Sequence, residues 1–431
     1  MRMKQQSLLA TGLVVGVAVL SGMGLAAVRA AQTPPLDLRM QPLASPAPES
    51  GSSLPQMSVS NKGVLLSWVE RTGPKATLRF SERTAAGWSA AQTAASGDNW
   101  FVNWADVPSV VRLANGTLAA HWLQKSGAST YAYDVKLSYS TDNGRTWAAP
   151  FSPHNDGTKT EHGFASLFSM PGGGLGLVWL DGRAMTSTPG TGAMAGMDHG
   201  GGDMTVRFAS FDDKWTQTGD ALIDARVCEC CPTTAVVTAE GVLTAFRNRA
   251  DDETRDIYVS RLEKGKWSEP KAAHADDWRI DACPVNGPAL SAHGRGVVIA
   301  WFTGKNNQNH AFAAFSKDAG RTFGNPIALD DEKTVGRVDV ELLPDGSAIA
   351  TWMESTPTGA QLRARRVEAS GQRSLPVTVT EMSAARSSGY PRMALSGQEL
   401  VFAWTEVVPG KAAGSDGALR VKTAIAQLPK R

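Results

Sequence analysis

The stretch STDNGRTW, residues 140–147, returns later in the chain as SKDAGRTF, residues 316–323. Both copies have the form S-x-D-x-G-x-T followed by an aromatic residue. This pattern is typical of a hairpin turn, because the aspartate can accept backbone N–H bonds, glycine supplies a positive φ and the aromatic ring packs under the turn. Degenerate copies run from Ser81 to Trp88 and from Ser260 to Trp267. The motif therefore indicates a β protein assembled from repeated hairpins.

A longer repeat surrounds these turns. In each unit a turn, usually with glycine, precedes an apolar run that ends in an aromatic residue, and successive aromatics lie 51 to 67 residues apart. The seven marker aromatics are Trp68, Trp122, Trp179, Phe246, Trp301, Trp352 and Trp404. Such units are too long for a β-helix coil and too short for separate β-sandwiches. They predict an all-β propeller of seven four-stranded blades, with early and late strands closing the ring.

From about residue 55 to 425 the chain resembles the sialidase-like, Asp-box (BNR) repeat family of propellers. The resemblance rests on the two Asp-box turns in register with the repeat. It implies a propeller fold, in which Asp-boxes are structural and lie away from the active site. Sialidases have six blades, so a six-bladed ring with a rearranged terminal unit is the alternative architecture. In that family three arginines clamp the substrate carboxylate, a Tyr–Glu pair supplies the nucleophile and an aspartate is the acid/base.

The first 30 residues predict an exported protein. Arg2 and Lys4 precede an apolar stretch, and a small-residue cleavage site follows before Ala31, as in a secretory signal peptide. A membrane anchor is the alternative, although the stretch is short for a bilayer span. We expect a Pro/Ser-rich lead-in over residues 31–55 and a single propeller domain over residues 56–431. The expected localisation is periplasmic or secreted, with no membrane span after cleavage.

Charge excludes one class of partner. The chain has 43 basic and 41 acidic residues, and loss of residues 1–30 would leave 40 basic against 41 acidic ones. No stretch concentrates Lys and Arg, so nucleic acid is not an expected partner. The expected partner is a small molecule, a glycan or a metal at the propeller axis, where the loops that enter the first strand of each blade converge.

All four cysteines lie in two of these loops. Cys228, Cys230 and Cys231 precede Phe246, and Cys283 precedes Trp301. Cys228 and Cys283 each stand 18 residues before their marker aromatic, so they occupy the same repeat position on neighbouring blades. We therefore expect them to lie close together near the axis.

Two chemistries fit these cysteines. An exported protein with an even cysteine count favours a disulfide, either between Cys283 and one of the other three or between Cys230 and Cys231. A thiolate cluster would instead select a soft metal, copper(I) or zinc.

A glycine-rich loop in the longest unit favours copper, since thioether and imidazole groups suit that metal in an oxidising compartment. A flexible insertion whose methionines have no role is the alternative. The predicted metal ligands outside the cysteines are Met194, Met197, His199, Met204 and His162.

Arginines precede several marker aromatics and predict an anion site. The predicted substrate- or anion-binding residues are Arg226, Arg279, Arg337, Arg386, Arg392 and Trp100. The family resemblance implies Tyr390 as nucleophile and Asp106 or Asp281 as acid. Salt bridges between blades, to Asp224, Asp281 and Asp339, are the alternative role for the arginines.

Three functions follow from the sequence. The first is an exported propeller with a soft-metal site at the mouth of the central channel. The second is a sialidase-type glycoside hydrolase. The third is a non-catalytic propeller that binds glycan or protein and carries structural disulfides.

Overall fold

The apolar run of each repeat forms a central strand that is buried on both faces. The computed structural model describes residues 38–185, 202–331, 333–408 and 418–428. Within these, each marker aromatic lies on the second strand of its own sheet. Trp68, Trp179, Trp301 and Trp352 are among the largest fully buried side chains. A strand packed between two neighbouring sheets has no solvent face, which explains why these runs are continuously apolar instead of alternating.

The strands fall into four classes by their position in a sheet. The innermost are β2 (Ser52–Ser60), β7 (Ser109–Arg112), β10 (His162–Ser169), β14 (Thr234–Thr238), β19 (Ala289–His293), β23 (Thr334–Leu342) and β27 (Arg392–Ser396). The second are β3 (Gly63–Thr72), β8 (Leu118–Lys125), β11 (Leu175–Asp181), β15 (Gly241–Arg247), β20 (Gly296–Thr303), β24 (Ala348–Thr356) and β28 (Glu399–Val407). The third are β4 (Lys75–Thr84), β9 (Tyr133–Ser140), β12 (Met204–Phe211), β16 (Ile257–Glu263), β21 (His310–Ser316), β25 (Gly359–Val367) and β29 (Leu419–Gln427).

Most outer strands are shorter and less regular, although one of them, Gln217–Val227, has 11 residues. The outer strands are β1 (Gln41–Leu43), β5 (Gly87–Trp88), β6 (Gln92–Gly97), β13 (Gln217–Val227), β17 (Lys266–Trp267), β18 (Lys271–Ala272), β22 (Ile327–Ala328) and β26 (Val377–Met382). In the second blade the outer position is reduced to a bridge between Leu137 and Phe151. Two short 3₁₀ turns, Lys305–Asn307 and Arg386–Ser388, complete the described secondary structure.

These seven sheets confirm the predicted propeller of seven four-stranded blades and exclude the six-bladed alternative. The ring closes as expected, because β1 from the predicted lead-in pairs with β29 and completes the last blade. The first blade begins at Ser52, slightly before the predicted domain start at residue 56. No helix among the described residues is long and apolar enough to cross a membrane. The predicted signal segment lies outside the described residues.

The Asp-box turns have the predicted geometry. In the first copy the Asp142 carboxylate accepts the backbone N–H of Thr146 (2.9 Å), and Gly144 adopts a φ of 87°. In the second copy Asp318 accepts the backbone N–H of Thr322 (2.9 Å). Both turns follow a third strand, as a hairpin at the outer half of a blade requires.

A central channel of about 190 Å³ is lined by residues from all seven innermost strands. Three of these strands, β2, β10 and β23, carry a shift of register near their start. A non-glycine residue with positive φ stands at each shift: Leu54 (59°), Phe164 (50°) and Arg337 (52°). Such bulges bend a strand and redirect its side chains. Here they do so where the loops enter the channel.

Candidate functional site

Three cysteine thiols form a cluster in the loop that leads into β14. The sulfur of Cys228 lies 3.3 Å from that of Cys231 and 3.7 Å from that of Cys230. A disulfide bond is about 2.05 Å long. No pair of cysteines is therefore at bonding distance, and all four are free thiols in the described structure. We call the three residues the thiol cluster.

Positive charge beside the thiol cluster favours a thiolate at Cys228. Arg255 points a guanidinium nitrogen at the Cys228 sulfur (3.4 Å) and also pairs with Glu229 (3.1 Å). Burial alone would raise the pKa of Cys228, but hydrogen bonds from the other two thiols and the Arg255 charge lower it well below its usual value. Burial raises the pKa of Cys230 and of Cys231, and these two thiols donate hydrogen bonds to the sulfur of Cys228.

The cluster is held by a buried arginine from the neighbouring strand. The Arg247 guanidinium donates to the carbonyl oxygens of Asn286 (2.8 and 3.0 Å) and Phe302 (2.8 Å), and its backbone carbonyl accepts the N–H of Cys228 (3.0 Å). A fourth bond runs to the carbonyl of Arg255 (2.6 Å). Arg247 thus ties the cysteine loop to the next blade.

Cys230 and Cys283 open onto a cavity of about 130 Å³, which we call the mouth cavity. It is formed by the loops that enter five of the innermost strands, together with the start of β9. Its lining is Phe101, Asn103, Trp104, Ala105, Tyr131, Tyr133, Glu161, Phe164, Cys230, Cys283, Val285 and Arg386. The two cysteine loops from neighbouring blades therefore meet at this cavity, through Cys230 and Cys283, whereas the prediction named Cys228 and Cys283.

An acid–tyrosine–acid array borders the mouth cavity. The Tyr133 hydroxyl donates to Oε1 of Glu161 (2.6 Å), and its oxygen lies 3.3 Å from Oδ2 of Asp106. Burial raises the pKa of Asp106 to about 8, although the backbone N–H of Phe164 opposes the rise. At neutral pH Asp106 therefore carries a proton that it can share with Tyr133.

The β10 bulge places Asp106 in this array. Oδ1 of Asp106 accepts the N–H of Phe164 (2.7 Å). A Cβ atom on Gly163 would lie 2.0 Å from Oδ2 of the same carboxyl group. Only glycine permits this approach.

Tyr390 does not fit the predicted nucleophile. Its side chain is buried in a hydrophobic cluster, and its hydroxyl donates to the carbonyl oxygen of Val285 (2.5 Å). Burial raises its pKa above the usual value, as it also does for the equally buried Tyr133, so the two tyrosines differ in their partners and not in their burial. The ring of Tyr390 stacks near Trp104 (6.1 Å). The described contacts thus give Tyr390 a packing role, and the tyrosine paired with a glutamate is Tyr133.

Two other predicted site residues also lie away from the mouth cavity. Trp100 is buried against Trp122 (5.5 Å between rings) in the core between the first two blades. It precedes the loop that enters the channel, and its side chain packs into this core. Asp281, the second candidate acid, is exposed. Of the two candidates for the acid, Asp106 is the one placed beside a tyrosine.

The five predicted arginines do not form one anion site. Arg226 pairs with Asp203 (3.2 Å) and with Asp251, and exposed Arg279 pairs with Asp252, so these two follow the salt-bridge alternative with partners other than the expected ones. Arg392 lines the central channel instead of the mouth cavity.

Arg386 and Arg337 remain near the cavity. Arg386 is exposed and lines it. Arg337 is buried over the ring of Trp104 (4.7 Å) and donates to the carbonyl oxygen of Gly389 (2.8 Å). Burial lowers its pKa. Arg337 therefore supports the lining of the mouth cavity through its contact with Trp104.

The predicted methionine and histidine ligands separate. Met194, Met197 and His199 lie outside the described residues. Met204 is fully buried in an apolar cluster, opposite Val227 on the neighbouring strand, and packs there instead of facing the thiols. His162 lies in a different cluster, where its ring stacks on His154 at 4.0 Å.

This second group, which we call the imidazole cluster, contains two histidines and three aspartates: His154, His162, Asp134, Asp156 and Asp181. Burial and the neighbouring ring lower the pKa of His154 to about 4. Burial also acts to lower the pKa of His162, but the carboxylates around it raise the value above normal.

Sequence reasoning missed Tyr133, Arg255 and most of the imidazole cluster. Tyr133 and Asp134 begin the third strand β9, and Arg255 lies just before the third strand β16. His154 and Asp156 lie in the loop that enters β10, upstream of the positions singled out there, and Asp181 ends the second strand β11. The loop between the second and third strand opens on the same face. The start of each third strand was therefore a usable signal.

No protein-family model matches the chain, and no curated protein is similar to it at a significant level. Among solved structures, a protein of unknown function from Dyadobacter fermentans is 13% identical, with a TM-score of 0.51 over 91% of this chain and 99% of that one. Polysaccharide lyase Uly1 is 10% identical, with a TM-score of 0.52 over 86% and 89% of the two chains. The NanB sialidase of Streptococcus pneumoniae, as its K499G mutant, is 11% identical, with a TM-score of 0.44 over 86% and 84%. At these identities, the first two comparisons show similarity of fold alone.

Proposed function

We propose that this protein is an exported propeller that binds a soft metal ion, copper(I), at the mouth of its channel. The observation that carries the proposal is the thiol cluster, in which Cys228, Cys230 and Cys231 point their sulfur atoms at one another. Metal–sulfur bonds of about 2.3 Å place ligand sulfurs roughly 3.8 Å apart in a tetrahedral site. The observed separations of 3.3 and 3.7 Å are close to this spacing.

Electrostatics supports the same assignment. Thiolates are the ligands that select copper(I). The lowered pKa of Cys228 gives one thiolate before any metal arrives, and Arg255 offsets its charge in the buried site. Cys283 lines the mouth cavity together with Cys230 and is the candidate for a fourth sulfur ligand.

The test is a competitive titration of the reduced, full-length protein with copper(I) and a chromophoric chelator under anaerobic conditions. We expect one tightly bound copper(I), and at least about a 100-fold loss of affinity in Cys228→Ser, since this thiolate is central to the cluster. Cys283→Ser distinguishes a three-sulfur from a four-sulfur site. Zinc, titrated in the same way, should bind more weakly than copper.

Two results would contradict the proposal. One is a Cys228→Ser variant that binds copper(I) as tightly as the wild type. The other is exported protein whose mass and thiol count show disulfides in place of four free thiols.

A second function, hydrolysis of glycosides, is favoured by the array of Asp106, Tyr133 and Glu161. Tyr133 would attack the anomeric carbon while Glu161 takes the phenol proton, and neutral Asp106 would protonate the departing oxygen. Water would then cleave the tyrosyl glycoside. The pairing of Tyr133 with Glu161 (2.6 Å) carries this candidate.

Two tyrosines make a matched test of that candidate. Turnover of fluorogenic glycosides, with a sialoside among them, should fall by at least about 100-fold in Tyr133→Phe. Tyr390→Phe loses the same atom outside the mouth cavity and should keep its activity. Equal activity of wild type and Tyr133→Phe, or no turnover of any glycoside by the wild type, would refute catalysis.

A further inference from the structure

The imidazole cluster contains a buried ring nitrogen that makes no hydrogen bond to the described residues. Nδ1 of His162 faces the carbonyl oxygens of Thr160 (3.2 Å) and Tyr133 (3.3 Å), which can only accept. The ring proton therefore resides on Nδ1, as in metal-binding histidines whose other nitrogen donates to a backbone carbonyl. Nε2 is buried and has no hydrogen-bond partner among the described residues.

Two carboxylate oxygens converge on this nitrogen. Nε2 of His162 lies 3.2 Å from Oδ2 of Asp156 and 3.8 Å from Oδ1 of Asp181. Neither contact is aligned as a hydrogen bond. In a tetrahedral site with bonds of about 2.0–2.1 Å, neighbouring N and O ligands are roughly 3.3 Å apart. The three ligand atoms all lie within 4.8 Å of one another, close enough to bind one ion after small adjustments.

His154 completes the donor set. Its ring stacks on that of His162 at 4.0 Å, its Nδ1 lies 3.1 Å from Oδ2 of Asp156, and its own Nε2 is buried without a partner. Two buried imidazoles at this distance cannot both be protonated at low cost. The unpartnered Nε2 of His154 lies in the same cluster as that of His162.

The charge balance also favours a cation. Three carboxylates, those of Asp134, Asp156 and Asp181, meet in this cluster. Arg183 contacts Asp181 (2.7 Å) and Asp156 (3.5 Å), while Lys136 contacts Asp134 (3.5 Å). The three carboxylates thus face two basic side chains, which leaves one carboxylate in excess in a largely buried site.

We infer that His162, Asp156 and Asp181, with His154 beside them, form a second metal site that takes a borderline divalent cation of the zinc class. Imidazole nitrogen and carboxylate oxygen suit such ions, whereas the thiol cluster suits a softer one. The two sites share no residue. Each can therefore be lost without the other.

The chain provides a matched control for the histidine. His274 pairs with Asp276 (2.9 Å) and lies 6.1 Å from Trp301, much as His154 pairs with Asp156 and lies 6.4 Å from Trp179. No second imidazole stacks on His274 among the described residues. His274→Gln therefore removes a comparable His–Asp pair without touching the proposed site.

The experiment uses chelator-treated full-length protein titrated with cobalt(II). The visible absorption spectrum of bound cobalt(II) shows which kinds of atom bind it. Cobalt bound by nitrogen and oxygen gives visible bands without sulfur-to-metal charge transfer, whereas cobalt at the thiol cluster adds that transition. We expect one sulfur-free cobalt site in the wild type and in His274→Gln. In His162→Gln and Asp156→Asn its affinity should fall by at least about 100-fold.

Zinc content after gel filtration should follow the same order, and circular dichroism checks that each variant is folded. If His162→Gln does not fold, Asp156→Asn decides the question. The inference is overturned if the wild type shows no sulfur-free cobalt band, the result expected were His162 simply an imidazolium. It is also overturned if His162→Gln binds cobalt as His274→Gln does.

Discussion

Replacement of Asp106 by asparagine should change the pH dependence of stability in a defined direction. The Asp106 side chain is buried, and its pKa is about 8 in the folded protein against an ordinary 3.8. A carboxyl group whose pKa rises on folding stabilises fully only below its unfolded pKa, and this contribution is lost as the pH rises towards 8. At ~1.36 kcal/mol per pH unit, that interval corresponds to about 6 kcal/mol. Relaxation and water entry reduce the effective cost, so we expect about 3 kcal/mol.

The assay is urea unfolding of wild type and Asp106→Asn at pH 5, 7 and 9, followed by tryptophan fluorescence. Near pH 5 both side chains are neutral and the two proteins should differ least. By pH 9 the variant should have gained about 3 kcal/mol relative to the wild type. Asp98→Asn, at an exposed position, is the control for the substitution itself. A difference that stays constant with pH, or that favours the wild type at pH 9, would refute the raised pKa assigned to Asp106.

Three further outcomes test the architecture. Arg247→Met should lower the free energy of unfolding by about 3–5 kcal/mol in urea, because it leaves buried carbonyls without donors, whereas exposed Arg279→Met should change it by under about 1 kcal/mol. Asp142→Asn should lower the thermal midpoint at pH 7 but not near pH 2. Hydrogen bonds from the turn's own backbone and hydroxyl groups hold the pKa of Asp142 at about 2, so its contribution is present above the ordinary 3.8 and lost as the pH falls through 2. Gly163→Ala should lower the thermal midpoint by several degrees, while Gly324→Ala, whose nearest neighbour would be 3.7 Å away, should not.

The blades could be predicted because each depends on local, repeated chemistry. A turn glycine and an apolar run ending in a residue such as Trp301 suffice to mark a central strand. The Asp-box turns depend only on residues within eight positions of one another. The convergence of the cysteine loops followed from the repeat spacing, since equal positions in neighbouring blades lie side by side.

The direction of individual side chains could not be predicted. Glu161 and His162 are adjacent in the chain, but Glu161 lines the mouth cavity and His162 points into the imidazole cluster. Neighbouring residues of a strand face opposite sides, and the bulge that follows alters the alternation within two residues. The same uncertainty led to Tyr390 in place of Tyr133. Which tyrosine meets a glutamate depends on contacts between blades that no single repeat encodes.

The pairing of β1 with β29 has a consequence for the order of assembly. Residues 41–43 emerge early during synthesis, whereas their partner strand, residues 419–427, is among the last to be made. The final blade therefore cannot be completed until nearly the whole chain is available, and until then its neighbours expose the apolar faces that pack against it. Deletion of residues 41–43 should leave the outer edge of β29 unpaired and prone to association with another strand.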